Sequence, residues 1–211
     1  PIDVSQWVGN AKGIIQAWYP GMEGGNALAN ILFGQVNPSG KLPMTFPKKL
    51  EDAPAHKLGQ YPGDSVNVIY YDDIYVGYRY YDTYKVEPQF PFGYGLSYTT
   101  FEYSNLKVTG GGKKATVTFT VKNTGKVAGA EVAQLYVHQM KSTLPRPEKE
   151  LKAFQKVELQ PGQQKTVTLN LGEDAFQYFN DLQNKWVMEP GSFKIQVGGS
   201  SRDIMTVVTI G

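Results

Sequence analysis

The stretch Ala115-Thr116-Val117-Thr118-Phe119-Thr120-Val121 alternates apolar and threonine side chains without a break. Successive side chains on a strand point to opposite faces, so this period of two predicts a strand with one face in a core and the other toward solvent. The same period returns at Ala133, Leu135 and Val137, at Val167, Leu169 and Leu171, and at Phe193, Ile195 and Val197. A further run, Ile204 to Ile210, follows at the C-terminal end. Turn signals stand between these runs: Gly110-Gly111-Gly112, Asn123-Thr124-Gly125, Pro161-Gly162 and Pro190-Gly191. Gly172-Glu173-Asp174-Ala175-Phe176 allows a single helical turn.

About seven short strands in residues 101–211, with no helix of note, predict an immunoglobulin-like β-sandwich. The absence of cysteine favours the fibronectin type III-like version, which does without an inter-sheet disulfide.

Residues 1–48 read differently. Val4, Trp7, Val8 and Ala11 fall on one helical face, and Gly13 is placed to end that helix. Ile14-Ile15-Gln16-Ala17-Trp18 is a short apolar run of the kind found in a strand covered on both faces, and Pro20-Gly21 breaks it. A second helix places Ala27, Leu28, Ile31 and Leu32 on one face, with Gly34 at its C-terminal stop. One strand cannot make a sheet. This zone is therefore expected to be an incomplete α/β segment, the C-terminal remnant of a domain whose other strands lie upstream of Pro1. Pro1 itself follows neither an initiator Met nor a signal segment, in keeping with a piece of a longer chain.

Residues 49–100 form a loop-rich linker between the two. Seven of the 14 tyrosines crowd into Tyr70–Tyr84. Tyrosine combines a large contact area with a polar tip, which suits a long connection pinned onto its neighbours.

Composition narrows the chemistry. Lys and Arg number 21 against 19 Asp and Glu, a net +2 over 211 residues, so nothing asks for nucleic acid or an anionic membrane. No apolar run approaches the roughly 20 residues of a bilayer span. With no cysteine and two histidines, His56 and His138, neither a metal centre nor a thiol nucleophile is expected, and no motif implies a cofactor. Gly93-Tyr94-Gly95 lacks the third glycine of a dinucleotide site, and Gly110-Gly111-Gly112-Lys113-Lys114 lacks the P-loop spacing. Arg146, Glu148, Lys149, Glu150 and Lys152 mix signs too evenly for an anion patch. Zero cysteines fit a bacterial periplasmic or secreted setting.

Three segments resemble the C-terminal part of family 3 glycoside hydrolases, the β-glucosidase and β-xylosidase group. They are Ala17–Pro47 (AWYPGMEGGNALANILFGQVNPSGKLPMTFP), Ile74–Asp82 with Phe90–Val108, and Asn123–Val137 with Arg146–Leu171. Met22 stands where such enzymes commonly have Gln. The resemblance implies an N-terminal barrel that carries an Asp nucleophile and a second α/β domain that carries a Glu acid/base upstream of the WYPG segment. Neither maps onto this chain, so no catalytic residue is assigned here. It also implies that the partners are the N-terminal domains of a parent enzyme and a β-glycoside or oligosaccharide, and that these 211 residues alone are inactive.

The residues themselves leave two functions open. Retaining hydrolysis needs two carboxyl groups about 5–5.5 Å apart. Asp72-Asp73 is the tempting pair, but adjacent residues of an extended chain face opposite ways, and solvation of the linker or hydrogen bonds from Tyr and Arg79 explain it better. Trp18 and Tyr19 are candidates for the edge of a sugar pocket in the intact enzyme, with core packing as the alternative for Trp18. Glu23 opens a helix where ligands of α/β sheets gather, although stabilisation by the helix N-terminus accounts for it too. The favoured function is the C-terminal structural portion of a two-carboxylate β-glycosidase. The alternative is a stand-alone carbohydrate-binding or adhesive module with the tyrosine-rich zone as its platform.

Overall fold

The computed structural model describes residues 2–64 and 66–211. From the N-terminus the elements are helix α1 (Gly24–Leu32), strand β1 (Phe46–Pro47), helices α2 (Pro54–Lys57) and α3 (Tyr78–Thr83), and strand β2 (Pro88–Phe90). Nine strands follow: β3 (Phe101–Gly111), β4 (Lys114–Asn123), β5 (Gly129–Gln139), β6 (Glu150–Leu159), β7 (Gln164–Leu171), β8 (Tyr178–Asn180), β9 (Lys185–Val187), β10 (Phe193–Gly198) and β11 (Ile204–Ile210).

Seven of these make a mainly β sandwich, as the alternation predicts. A three-stranded sheet in the order β3-β4-β7 faces a four-stranded sheet in the order β11-β10-β5-β6, and every pairing is antiparallel. Ala115, Val117, Phe119 and Val121 of β4 are buried, as are Ala133, Leu135 and Val137 of β5, Val167, Leu169 and Leu171 of β7, and Phe193, Ile195 and Val197 of β10. The periodic positions are the core. Val157 and Leu159 of β6 and Phe176 join them, and Tyr103 stacks on Phe119 at 6.1 Å. Residues Glu173–Ala175 do form one helical turn, of the 3-10 type, and it seats Phe176 under the sandwich against Phe193. The alternation did not foretell β8 and β9, a short hairpin outside both sheets.

The two central strands of the four-stranded sheet, β5 and β10, are covered on both sides, while outward residues of the edge strands such as Phe154, Met205 and Val207 stay exposed. Gln134 and Tyr136 of β5 and Gln196 of β10 point away from the core, yet they are as buried as core residues. Residues 78–98 cover them. The ring of Tyr78 stacks on Phe92 (4.8 Å) and meets Tyr136 edge-on (5.8 Å), and the Tyr78 hydroxyl accepts the amide of Leu151 at 2.8 Å. At Gly93 (φ +81°) this strap crosses β5 so closely that a Cβ would lie 2.2 Å from Gln134 Oε1. Glycine is therefore required there for the approach itself. Gln134 Nε2 donates to the carbonyls of Gly93 and Gly199 (3.2 and 2.6 Å), and Tyr136 donates to Gln134 Oε1 (2.6 Å). Buried glutamine and tyrosine side chains are tolerated when their polar atoms find partners, as those of Gln134 and Tyr136 do, whereas the buried Gln196 Nε2 has no hydrogen-bond partner.

The first zone departs from expectation in two places. Val4–Ala11 is not an α-helix: one 3-10 turn, Val8–Asn10, follows a bend in which Val8 N donates to Val4 O at 2.9 Å. Gly9 and Gly13 weaken the propensity of so short a segment, and only Val4 of its apolar face is buried. Ile14–Trp18 is not a strand either. A strand exists through a hydrogen-bonded neighbour, and none of the paired strands among the described residues lies beside it. Ile14, Ile15 and Trp18 accordingly stand 41%, 45% and 46% exposed. The second helix does form, as α1, with its C-terminus closed at Gly34 (φ +74°).

Amide hydrogen exchange on the 211-residue chain checks this contrast. The amides of Leu135 to Val137 are expected to exchange close to the rate of global unfolding, and those of Ile14 to Trp18 at nearly the rate of an unstructured peptide. Strong protection at Ile14–Trp18 would contradict the arrangement.

Candidate interdomain site

The tyrosine-rich segment is fixed to the sandwich by charge. Asp82, on α3, is buried, and its carboxylate lies between two cations of sandwich loops, Arg202 in the β10–β11 turn and Lys149 just before β6. Arg202 Nε donates to Asp82 Oδ1, while Lys149 Nζ stands 3.4 Å from Oδ2, an ion pair at longer range. Arg202 continues into the strap: Nη2 donates to the carbonyls of Tyr81 and Val86, each at 2.9 Å, and Nη1 to Glu87 Oε2 at 3.3 Å. Lys149 Nζ donates to Ser201 O at 2.7 Å. Burial pushes the Asp82 pKa up from the usual carboxylate value, and Lys149 and Arg202 oppose that push. The planar guanidinium suits Arg202 to its task, because one fork serves a carboxylate and two carbonyls at once.

A second peg holds the end of the first zone. Lys41 Nζ lies 3.1 Å from Glu131 Oε2 on β5 and donates to Gly95 O at 3.1 Å, while the buried Tyr103 hydroxyl donates to Glu131 Oε1 at 3.0 Å. Asn37 adds a bridge, donating to Ala128 O and accepting from Ser97 Oγ and Tyr98 N. Residues far apart in sequence are thereby fastened to one face of the sandwich.

The charged run Arg146–Lys152 neutralises itself, in keeping with its mixed signs. Glu150 accepts from Arg146 at 2.7 Å and pairs with Lys152 at 3.0 Å. Burial raises its pKa, but Lys152 and Arg146 outweigh burial and leave it below the usual glutamate value. Glu189 forms another knot, accepting from Thr143 N (2.9 Å), Tyr178 Oη (2.9 Å) and Ser142 Oγ (3.0 Å). Hydrogen bonds from Thr143 foremost hold its pKa down at about 2.

The candidate sugar-site residues lie away from these pegs. Trp18, Tyr19 and Met22 face solvent, Tyr19 completely, and Trp18 has φ +53°, a left-handed conformation costly for so bulky a residue. Glu23 sits at the N-cap of α1, and its Oε2 accepts from Asn26 Nδ2 at 2.6 Å without capping a backbone amide. Sequence places these residues on one exposed turn, and no buried polar group joins them. Asp72 accepts from Gln60 Nε2 at 3.3 Å, and Asp73 is exposed with φ +49°. His138 approaches Pro147 O at 3.4 Å, and His56 packs on Tyr61. No group of three or more His, Cys, Asp and Glu is gathered for a metal among the described residues.

Many large apolar side chains of the first third of the chain are exposed. Ile2, Trp7, Ile14, Ile15, Leu28, Leu32, Phe33 and Val36 are all exposed, as are Val66, Val68, Ile69, Tyr70 and Tyr71 further along.

Comparison with known proteins identifies the family. Residues 1–98 match the glycosyl hydrolase family 3 C-terminal domain, and residues 131–201 match the fibronectin type III-like domain. Over 209 residues the chain is 51% identical to the β-glucosidase BoGH3A of Bacteroides ovatus, covering 96% of this chain and 28% of that protein. It is 48% identical to an exo-α-(1→6)-L-arabinopyranosidase of Bifidobacterium breve, covering 99% of this chain and 28% of that one. The crystal structure of a Bifidobacterium adolescentis family 3 β-glucosidase superposes with a TM-score of 0.94 at 44% identity, over 99% of this chain and 31% of that one. The chain belongs to glycosyl hydrolase family 3 and corresponds to the C-terminal part of its longer members. It spans about 28% of the length of the curated relatives that it matches.

Two measurements test the pegs. Asp82→Ala leaves Arg202 and Lys149 facing each other without their anion, so urea unfolding is expected to show a loss of about 3 kcal/mol, whereas Asp73→Ala should change stability by less than about 0.5 kcal/mol. Equal effects would remove the special standing of Asp82. Glu189, with a pKa depressed in the folded state, contributes stability that is complete above the ordinary glutamate value and lost as pH falls from there toward about 2. Thermal melts of Glu189→Gln should therefore fall less steeply between those limits than melts of the parent chain.

Proposed function

We propose that this chain is the C-terminal structural portion of a retaining β-glycosidase acting on terminal β-linked sugars, with nucleophile and acid/base supplied by domains N-terminal to it. The observation that carries the reading is the set of apolar side chains exposed along residues 2–36, with Ile14–Trp18 paired to no strand among the described residues. Such a segment finds its ladder and its cover in another part of the same enzyme. In that setting the sandwich and its strap act as a brace, holding the α/β segment at a fixed angle to the rest. A pocket shared between domains depends on such an angle.

This region is shared by relatives named for different sugars. The two relatives above are 51% and 48% identical to this chain over this region, yet one is named a β-glucosidase and the other an arabinopyranosidase. Trp18, Tyr19 and Glu23 are proposed to border the substrate in the intact enzyme, where the exposed turn faces the N-terminal domains. The division at residues 48 and 100 is proposed as the boundary between α/β remnant, linker and sandwich. A stand-alone sugar-binding module built on the tyrosines is disfavoured, because Tyr80 and Tyr81 are buried and the Tyr78 hydroxyl is engaged by Leu151.

The test is reconstitution. The 211-residue chain alone is expected to give no turnover of an aryl β-glucoside, and activity is expected to appear when the N-terminal portion of the enzyme is supplied. Robust hydrolysis by the chain alone would overturn the proposal.

A further inference from the structure

The sandwich has four edge strands, β3 and β7 in one sheet and β11 and β6 in the other. A strand edge presents a row of unpaired amides and carbonyls, and charged side chains are one means of keeping other strands away from it. Three of the four edges carry such charge: Glu102 and Lys107 on β3, Lys152, Lys156 and Glu158 on β6, and Lys165 on β7. The register of β3 is also broken between Ser104 and Lys107. β11, which reads Ile204-Met205-Thr206-Val207-Val208-Thr209-Ile210, has no charge, no proline and no glycine. It pairs with β10 on one side and with no strand on the other among the described residues. One irregularity touches its start, and from Thr206 to Ile210 its ladder is regular. Met205 and Val207, on its outward face, are 45% and 48% exposed.

The order of these residues suits a second copy of the same strand. Read backwards the run is Ile-Thr-Val-Val-Thr-Met-Ile, nearly itself. An antiparallel copy related by a twofold axis at Val207 sets Val207 against Val207, Thr206 against Val208, Met205 against Thr209 and Ile204 against Ile210. Each pair joins residues of the same face, so inward side chains meet inward ones and the core face of the sheet continues across the axis. β-Branched residues pack well in such cross-strand pairs, and no like charges meet, the penalty that ordinarily falls on identical strands placed side by side. The contact is isologous and each copy has one uncharged edge, so pairing closes at two copies and does not grow into a fibre.

We propose that β11 is a self-association edge, through which two copies of this chain join β11 to β11 antiparallel about Val207 and merge their four-stranded sheets into one. The interface is small, seven residues a side, so the dimer is weak and depends on concentration. The pairing does not rest on the glycosidase reading, because it uses the edge of the sandwich alone.

Sedimentation equilibrium of the 211-residue chain tests it, over loading concentrations from about 10 μM to about 500 μM, where a small interface becomes populated. The average mass is expected to climb from 23.4 kDa toward that of a dimer and no further. Val207→Lys sets two ammonium groups opposite each other at the axis and is expected to raise the dissociation constant at least about tenfold, whereas Phe154→Lys on the charged edge β6 leaves it unchanged. Covalent trapping reads the same contact independently. The chain has no cysteine, so Val207→Cys places a thiol pair at the axis and nowhere else. Opposed residues of antiparallel strands stand about 4.5–5.5 Å apart at Cα, within disulfide reach, and mild oxidation should give a covalent dimer. Phe154→Cys, at a position 66% exposed, should give none. A chain that stays monomeric throughout the range overturns the proposal. So does a dimer insensitive to Val207→Lys, a dimer lost instead through Leu32→Lys on the first zone, or oxidation that joins Phe154→Cys as readily as Val207→Cys.

Discussion

A buried carboxylate between two cations governs how this chain is put together. Asp82 belongs to the tyrosine-rich segment, and Lys149 and Arg202 to separate loops of the sandwich. Removing such charges from water is costly, and the cost is offset only where geometry and further hydrogen bonds satisfy every partner. Here Arg202 meets the carbonyls of Tyr81 and Val86 and Lys149 meets that of Ser201, while Asp82 Oδ2 accepts no hydrogen bond and is held by its ion pair with Lys149 alone. The cluster therefore specifies one docked position for the strap. A segment held by hydrophobic contact alone could slide along the sheet.

From that position the outer layer follows. With the strap in place, Tyr78 stacks on Phe92 and meets Tyr136, Gly93 passes above Gln134, and the middle of the four-stranded sheet is enclosed on both faces. Lys41 and Glu131 repeat the device at the other end, bringing the close of the first zone against β5. The sandwich is thus more than an appended module. Its outer face is completed by residues that precede it in the chain, so the α/β segment and the sandwich are joined by polar pegs as well as by a covalent link.

The exposed flank of residues 2–36 has the opposite character. It holds one α-helix and a 3-10 turn, and its apolar run Ile14–Trp18 pairs with no strand among the described residues. Polar fastening to the sandwich and exposed apolar side chains thus coexist in the same N-terminal stretch.

The sequence by itself determined the sandwich and its core. Period-two alternation at Val117, Phe119, Leu135, Leu169 and Ile195 is a local property, because a strand's two faces are written in consecutive residues. It determined α1 for the same reason, and the runs from Ala17 to Leu171 carried the family. The expectation for Val4–Ala11 and Ile14–Trp18 failed where an apolar pattern had no neighbour to realise it. Only the tertiary structure decided the pegs. Asp82 and Arg202 are 120 residues apart, and nothing near either one marks its partner. The one local hint was the polar yet uninterrupted stretch Ala133-Gln134-Leu135-Tyr136-Val137, where a solvent-facing strand would ordinarily carry charge. Pairing between distant loops depends on where the whole chain brings them, and that is fixed by packing rather than by any short run of residues.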